Sequence, residues 1–436
     1  ATRPDLLGVE LTSDLAHLKD KLPPFPVAQA QRAVTDSFGE DAKQLFPPLG
    51  NAIAAASIAQ VHRIETADGP RAVKLLRPGV EARIAKELRA MMRGAKLLER
   101  RSAEGRRLRL VAFVETLAES MTRELDLRFE AGAASEFAEI IADDGFVSAP
   151  AVDWTRTSDK VLTTDWVDGT PLTDPAALEG VDRKALGERI VRGFLATTLD
   201  HGFFHADLHE GNMIVTEPVH ADGPHGATLV DFGIMGRIGP AERRFLAEIL
   251  NGFLRRDYHR IAEVHFEAGY VPETEDVGAF AQALRAAGEP IFGQTAENVS
   301  MSRLLLQLFD ITHQFGMQLR PELVLLQKTM VQVEGVARAI DPQHNIWEAA
   351  RPVVERWVKR EFGPEGAARL AAETARRLGD RAKRLPEMID KFEAALDAAA
   401  ASADATDSKR EKQDALLFAA IVLLAAITGY IVGNWG

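Results

Sequence analysis

A single lysine, Lys74, stands in the middle of the otherwise apolar run Ala72-Val73-Lys74-Leu75-Leu76. A fold that buries this segment must supply the lysine with a carboxylate, because an unpaired ammonium in an apolar interior is very costly. The run is rich in branched residues and follows a second one, Ile58 to Ile64, across a Gly69-Pro70 turn. The two are expected to form a hairpin of strands. A helical pattern runs from Val80 to Arg101, and partners for the lysine lie within a second one from about Leu110 through Ala134, where Glu124, Asp126 and Glu130 are the candidates.

Further along, Phe203 to Val215 reads FFHADLHEGNMIV, in which Asp207 precedes Asn212 by five residues, and Leu229-Val230-Asp231-Phe232-Gly233 places a carboxylate at the end of an apolar strand. Phosphoryl transfer needs metal-binding oxygens, a cation for the nucleotide phosphates and a carboxylate near the attacking group. A kinase catalytic loop spaces its base and its metal-binding Asn as Asp207 and Asn212 are spaced, and a kinase holds its principal magnesium ligand in an Asp-Phe-Gly triplet. Lysine, helix glutamate, Asp-to-Asn loop and Asp-Phe-Gly occur here in kinase order, which is far more specific than any one of them. Taken singly, each has a bland reading: a strand lysine that snorkels to solvent, a solvated acidic helix face, a chance tripeptide. His205 and His209 as zinc ligands on one helix face are disfavoured by the absence of a third ligand motif and by Gly211.

Two departures separate this pattern from a protein kinase. Where a glycine-rich loop would cover the phosphates, the sequence has Ala52-Ile53-Ala54-Ala55-Ala56-Ser57-Ile58-Ala59-Gln60, so methyl groups replace bare backbone. After Gly233 only a few residues pass before Pro240 opens a helix, and no Ala-Pro-Glu triplet follows, which leaves little room for a peptide-presenting activation segment.

Together these residues resemble the UbiB family of atypical kinase-like proteins, also called the AarF or ADCK family, from the first residues through about Ile238. Ala54-Ala55-Ala56-Ser57 is similar to the family's Ala-rich nucleotide loop, Lys74 to its strand lysine, Glu124-Leu125-Asp126 to its E-x-D motif, Glu130 to the helix glutamate paired with that lysine, and His205 to Asn212 to its HADxHxGN loop. Ala59 departs from the family's usual glycine. The opening ATRPDLLG resembles the segment that follows the family's K-x-G-Q motif, so the chain is expected to be a fragment that starts after it; the lysine of that motif would pair with Glu124. The resemblance implies ATP and Mg2+ as cofactors. Asn212 and Asp231 would hold the metal, Ala54 to Ser57, Lys74, Asp165 and Val167 the nucleotide, and Asp207, Lys74 and Glu130 would carry catalysis, with Glu124 and Asp126 regulatory. It further implies an unorthodox ATPase or small-molecule kinase that supports ubiquinone biosynthesis, with membrane lipids, polyprenyl quinone precursors and quinone-biosynthesis enzymes as partners. A nucleotide-gated scaffold and a phosphotransferase like those acting on choline or aminoglycosides are the alternatives.

The C-terminal run Ala415 to Val432 carries no charge. At about 1.5 Å per residue it covers roughly 27 Å, close to the hydrocarbon thickness of a bilayer. Lys409, Arg410 and Lys412 precede it and Tyr430 and Trp435 mark an interface, which predicts a transmembrane helix with everything N-terminal to it in the cytoplasm. Ala425, Ala426 and Gly429 would let such helices approach in a homo-oligomer. The localisation expected is the bacterial inner membrane. A net charge of -12 argues against a nucleic-acid partner, and the absence of cysteine excludes disulfides, thiolate metal sites and cysteine nucleophiles.

The expected fold class is α+β, a two-lobed kinase-like fold. It would comprise a helical extension over 1–48, an N-lobe over 49–168, a helix-rich C-lobe over 169–345, a helical region and linker over 346–412, and the membrane helix over 413–436.

Overall fold

The computed structural model describes residues 23–102, 110–142, 144–217, 225–292, 307, 311, 314–317 and 321–363. Two units make up the chain, Ala1–Val358 and Lys359–Gly436, and of the second only the first few residues are described.

Helix α1 (Val27–Phe38) leads through a short helical turn, Ala42–Leu45, into a four-stranded antiparallel sheet of β1 (Ala52–Ala55), β2 (Ala59–Thr66), β3 (Gly69–Leu76) and β4 (Val161–Asp165), paired in that order. The β2–β3 hairpin is tighter than the Gly69-Pro70 turn expected from sequence. Its turn lies at Ala67 and Asp68, and Gly69 and Pro70 already pair with Thr66 and Glu65. Pro70 is accommodated at the beginning of its strand, where the missing N–H costs least.

Strand alternation sorts β3 into two faces. Val73 and Leu75 join Ile64 and Val161 in one apolar cluster with Ala30, Val34, Phe46 and Leu49 from the N-terminal segment. Leu76 joins Ala59 and Leu162 in a second cluster, under the helix that carries Leu127 and Ala131. Lys74 has the parity of Leu76, so its side chain leaves the sheet towards that helix.

Between β3 and β4 run α2 (Val80–Arg101), α3 (Leu110–Glu124) and α4 (Leu127–Ile141). The single helical stretch expected from Leu110 through Ala134 is two helices. The break falls at Leu125-Asp126, because Asp126 turns extended and caps α4, its side chain accepting a hydrogen bond from the Arg128 N–H. Glu124 and Glu130 therefore sit on different elements.

The C-terminal lobe starts where the chain leaves β4. Gly169 is the close approach that permits this: a Cβ there would lie 2.3 Å from the Val215 carbonyl oxygen and 2.7 Å from the Ile214 side chain. Short strands follow, β5 (Thr170–Pro171), β6 (Phe203–His205), β7 (Met213–Thr216), β8 (Gly226–Leu229) and β9 (Met235–Arg237), forming sheets of order β5-β7-β8 and β6-β9. Strands β7 and β8 pair antiparallel, from Met213 with Leu229 to Thr216 with Gly226.

Helix α5 (Arg183–Ala196) is the axis of this lobe. Leu186, Ile190, Val191, Phe194 and Leu195 on it belong to one large core with β6, α6 (Pro240–Arg255), α7 (Tyr258–Glu267), α8 (Val277–Phe292), α9 (Pro321–Ile340) and α10 (Ile346–Phe362). Burying one such side chain contributes about 1.5–3 kcal/mol. The boundary expected after residue 345 is not a structural one, since Ile346, Trp347, Val353 and Trp357 of α10 lie in the same core and Trp357 Nε1 donates to the Leu199 carbonyl at 2.8 Å. Among the described residues no helix is long and apolar enough to cross a membrane. The expected span over 413–436 lies outside them.

Candidate functional site

Lys74 finds two carboxylates. Its Nζ lies 2.7 Å from Glu130 Oε1, 2.9 Å from Glu130 Oε2 and 3.3 Å from Asp231 Oδ2. Of the three acidic candidates in the helical stretch, Glu130 is the one in contact, because it lies one turn into α4 on the side of Leu127 and Ala131 that packs on the sheet. Burial alone would lower the Lys74 ammonium, but the charges of Glu130 and Asp231 outweigh it and hold the group above its ordinary value. Burial pushes the Glu130 carboxyl up and Asp231 adds to this, with Lys74 opposing. Asp231 is held below the usual carboxylate range: burial works against this, and Lys74 with the Gly233 N–H overcomes it.

The triplet Asp231-Phe232-Gly233 is seated by packing. The Phe232 ring is buried against Phe137 of α4, ring centres 5.4 Å apart, and against His205 at 5.7 Å. Its N–H reaches towards Glu130 Oε1 at 3.5 Å.

His205 ties the two motifs together. Its Nε2–H donates to the Asp231 carbonyl, and its Nδ1 accepts from the Asp207 N–H at 3.2 Å, so one neutral tautomer satisfies both. Burial lowers its pKa, which keeps the ring neutral.

Asp207 and Asn212 are brought together across one turn. Asn212 Nδ2 donates to the Asp207 carbonyl at 3.1 Å, which fixes the amide and leaves its oxygen for another partner, and the Asn212 carbonyl accepts from the Val230 N–H at 3.1 Å, next to Asp231. Asn212, just before β7, and Asp231, just past the end of the adjacent β8, thus offer two hard oxygen donors side by side. This is the donor chemistry of a magnesium ion, which takes one or two protein carboxylates or amides and completes its shell with phosphates and water. Among the described residues no cluster of three or more His, Cys, Asp and Glu side chains forms a self-sufficient metal cage.

The Asp207 carboxylate is itself clamped. Its Oδ1 accepts from Lys328 Nζ at 3.2 Å and from Gln332 Nε2 at 3.1 Å, both on α9, while Oδ2 lies 3.7 Å from His209 Nε2. Burial would raise this carboxyl, but Gln332 and Lys328 prevail and lower it.

Ala52 to Ala55 form β1 rather than a loop, and Ala56 and Ser57 begin the exposed turn into β2, closed by the Ala56 N–H on the Ala59 carbonyl at 2.8 Å. Asp165 ends β4 with its N–H on the Ala151 carbonyl at 2.8 Å and its carboxylate 3.1 Å from Arg71, so both groups are already engaged; Val167 follows on the connection to the second lobe. Glu124 is half-buried, and burial and the charge of Asp231 raise its pKa, which places it near the cleft. Asp126 makes a two-point contact with Arg128, at 2.9 and 2.7 Å, and caps α4.

Sequence reasoning named His205 only as part of the loop and as a disfavoured zinc ligand, missing its bridging role, and did not single out Lys328 or Gln332. The signal for His205 was a histidine inside the apolar run Phe203-Phe204-His205-Ala206. For the other two it was a cation and an amide four residues apart in Leu323 to Val333, a helix otherwise largely apolar.

A strand lysine bound to a helix glutamate, across a cleft from an Asp-to-Asn loop and an Asp-Phe-Gly triplet, defines the class: an atypical kinase-like fold. The ABC1 atypical kinase-like domain matches residues 17–265 and the UbiB helical domain residues 284–345. The chain belongs to this ABC1/UbiB family. It is similar to the probable protein kinase UbiB of Marinobacter nauticus, 38% identical over 370 residues, 84% of this chain and 67% of the relative. It is also similar to that of Cellvibrio japonicus, 37% identical over 369 residues, 84% and 66% of the two chains. It therefore spans about two thirds of the length of these relatives. Among solved structures, Rv3197 of Mycobacterium tuberculosis in complex with erythromycin shares the fold, with a TM-score of 0.57 at 23% identity, covering 80% of this chain and 88% of that one.

Proposed function

We propose that this chain is a magnesium-dependent ATPase or small-molecule phosphotransferase that works at a membrane in polyprenyl quinone biosynthesis. The observation that carries the reading is the placement of Lys74, bound to Glu130 and Asp231, opposite Asp207 and Asn212, with no peptide-presenting segment between Gly233 and Pro240. Between Gly233 and the start of α6 at Pro240 the chain does no more than form β9 against β6. A peptide substrate has nothing to lie on there, and water or a small hydroxyl compound fits better.

In this reading Lys74, oriented by Glu130, holds nucleotide phosphates. Asn212 and Asp231 hold Mg2+, which when bound would neutralise phosphate charge. Asp207 orients the attacking hydroxyl and accepts its proton, while the oxygen bonds to the γ-phosphorus as the bond to the β–γ bridging oxygen breaks and ADP leaves. Support for quinone biosynthesis comes from the family likeness, and support for a membrane setting from the uncharged run Ala415 to Val432.

Phosphate release from MgATP by the purified chain, beside Asp231→Asn, tests the chemistry. Hydrolysis that falls at least about 100-fold in the variant is expected. Equal turnover in both proteins would overturn the assignment of Asp231, and ATP binding without release under any condition, with bilayers and a phenolic quinone precursor included, would favour a nucleotide-gated scaffold.

A further inference from the structure

The α9 helix enters the site from a region that the kinase-like motifs do not reach. Lys328 and Gln332 lie one turn apart on it and both donate to Oδ1 of Asp207, at 3.2 and 3.1 Å. Thr329 between them is fully buried; its hydroxyl lies 2.9 Å from the Leu325 carbonyl of its own helix and 3.3 Å from the Ala206 carbonyl, so the helix is also fastened to the loop at the residue before Asp207. The Gln332 amide can present only its nitrogen to a carboxylate. Its oxygen is left buried and without a hydrogen-bond partner among the described residues, a cost that the contact with Asp207 offsets. The loop from His205 to Met213 contains no lysine or arginine of its own, so Asp207 draws its cation from 121 residues away.

We propose that Lys328 and Gln332 are positioning residues for Asp207. By occupying Oδ1 they leave Oδ2 as the oxygen that receives the attacking hydroxyl, and they make the helical region over 284–345 an integral part of the phosphoryl-transfer site. The proposal rests on the reading of Asp207 as the residue that orients the attacking group. It concerns orientation rather than nucleotide holding, which falls to Lys74 and Glu130. Loss of the clamp therefore weakens turnover and spares affinity, since a small misplacement of a reacting group costs on the order of 100-fold in rate.

The test uses the full chain and the variants Lys328→Met, Lys328→Arg, Gln332→Leu and Asp207→Asn, with Lys328→Met/Asp207→Asn as the double variant. Expected for Lys328→Met is a fall in kcat of about 100-fold with KM for MgATP within about threefold of wild type. Gln332→Leu should lose less, and Lys328→Arg should recover most of the rate. The double variant should be no slower than Asp207→Asn alone, because residues acting as one unit are not additive. Wild-type kcat in Lys328→Met, or a double variant slowed by the product of the two single losses, would overturn the proposal. If the wild-type chain binds ATP and releases no phosphate, the hydrolysis reading fails, and amide hydrogen exchange decides this one separately. Faster exchange over residues 206–212 in both Lys328→Met and Gln332→Leu supports the clamp, and unchanged exchange there refutes it.

Discussion

At the scale of single residues, the cleft is a set of charges that answer one another. Lys74 is 20% exposed and Glu130 8%, so this ion pair lies mostly out of solvent, where removing either partner is far more damaging than the net worth of the pair. Glu124 is the contrasting case. Among the described residues it makes no ion pair, and burial and Asp231 raise its pKa. The folded chain therefore holds the Glu124 proton more tightly than the unfolded chain does. The stability this group gives is present in acid, below its ordinary pKa, and is lost as pH rises through the raised one. Glu124→Gln should accordingly melt at a higher temperature than wild type at about pH 7.5, and the advantage should vanish by about pH 4. Equal melting temperatures at neutral pH would show that a partner neutralises the carboxylate.

At the scale of elements, the break between α3 and α4 is what aims Glu130. Asp126 caps α4 and sets where its first turn begins, and Glu130 lies in that turn. Asp126→Ala should cost about 1 kcal/mol in denaturant unfolding, and Asp126→Asn, which can still cap, much less. An equal loss in both variants would mean that the contact with Arg128, not the cap, matters. The same break shows where sequence stopped being legible. Val80–Arg101 is a helix over the range the apolar spacing predicts, because an amphipathic period carries its own evidence. The α3–α4 break carries no glycine or proline, and Asp126 reads equally well as one more solvated acid on a continuous helix. Strand β1 was hidden for a different reason: its alanines have low strand propensity and pair only because β2 lies beside them. Motif spacing made Lys74, Asp207, Asn212 and Asp231 legible, whereas the contact from Lys328 depends on tertiary packing of α5 against α9, which local pattern does not encode.

At the scale of the whole molecule, one charged cleft joins a lobe built on a four-stranded sheet to a helical one, and the membrane setting rests on residues outside that frame. Anchoring by 413–436 predicts that the full chain co-floats with lipid vesicles and that a chain ending at residue 412 stays with the soluble fraction. Flotation of the shortened chain would move the membrane contact into the described units.

The ties that complete the cleft are all distant in sequence: Glu130 is 56 residues from Lys74, Asp231 is 157, and Lys328 is 121 residues beyond Asp207. During synthesis the Asp207 loop leaves the ribosome long before α9 does. At about 5–20 residues per second, translation of the intervening stretch takes roughly 6–24 s. A nascent chain that already has its lysine, its glutamate and its Asp-Phe-Gly triplet therefore still lacks the clamp on Asp207, and competence for phosphoryl transfer arrives only as the C-terminal helices are made.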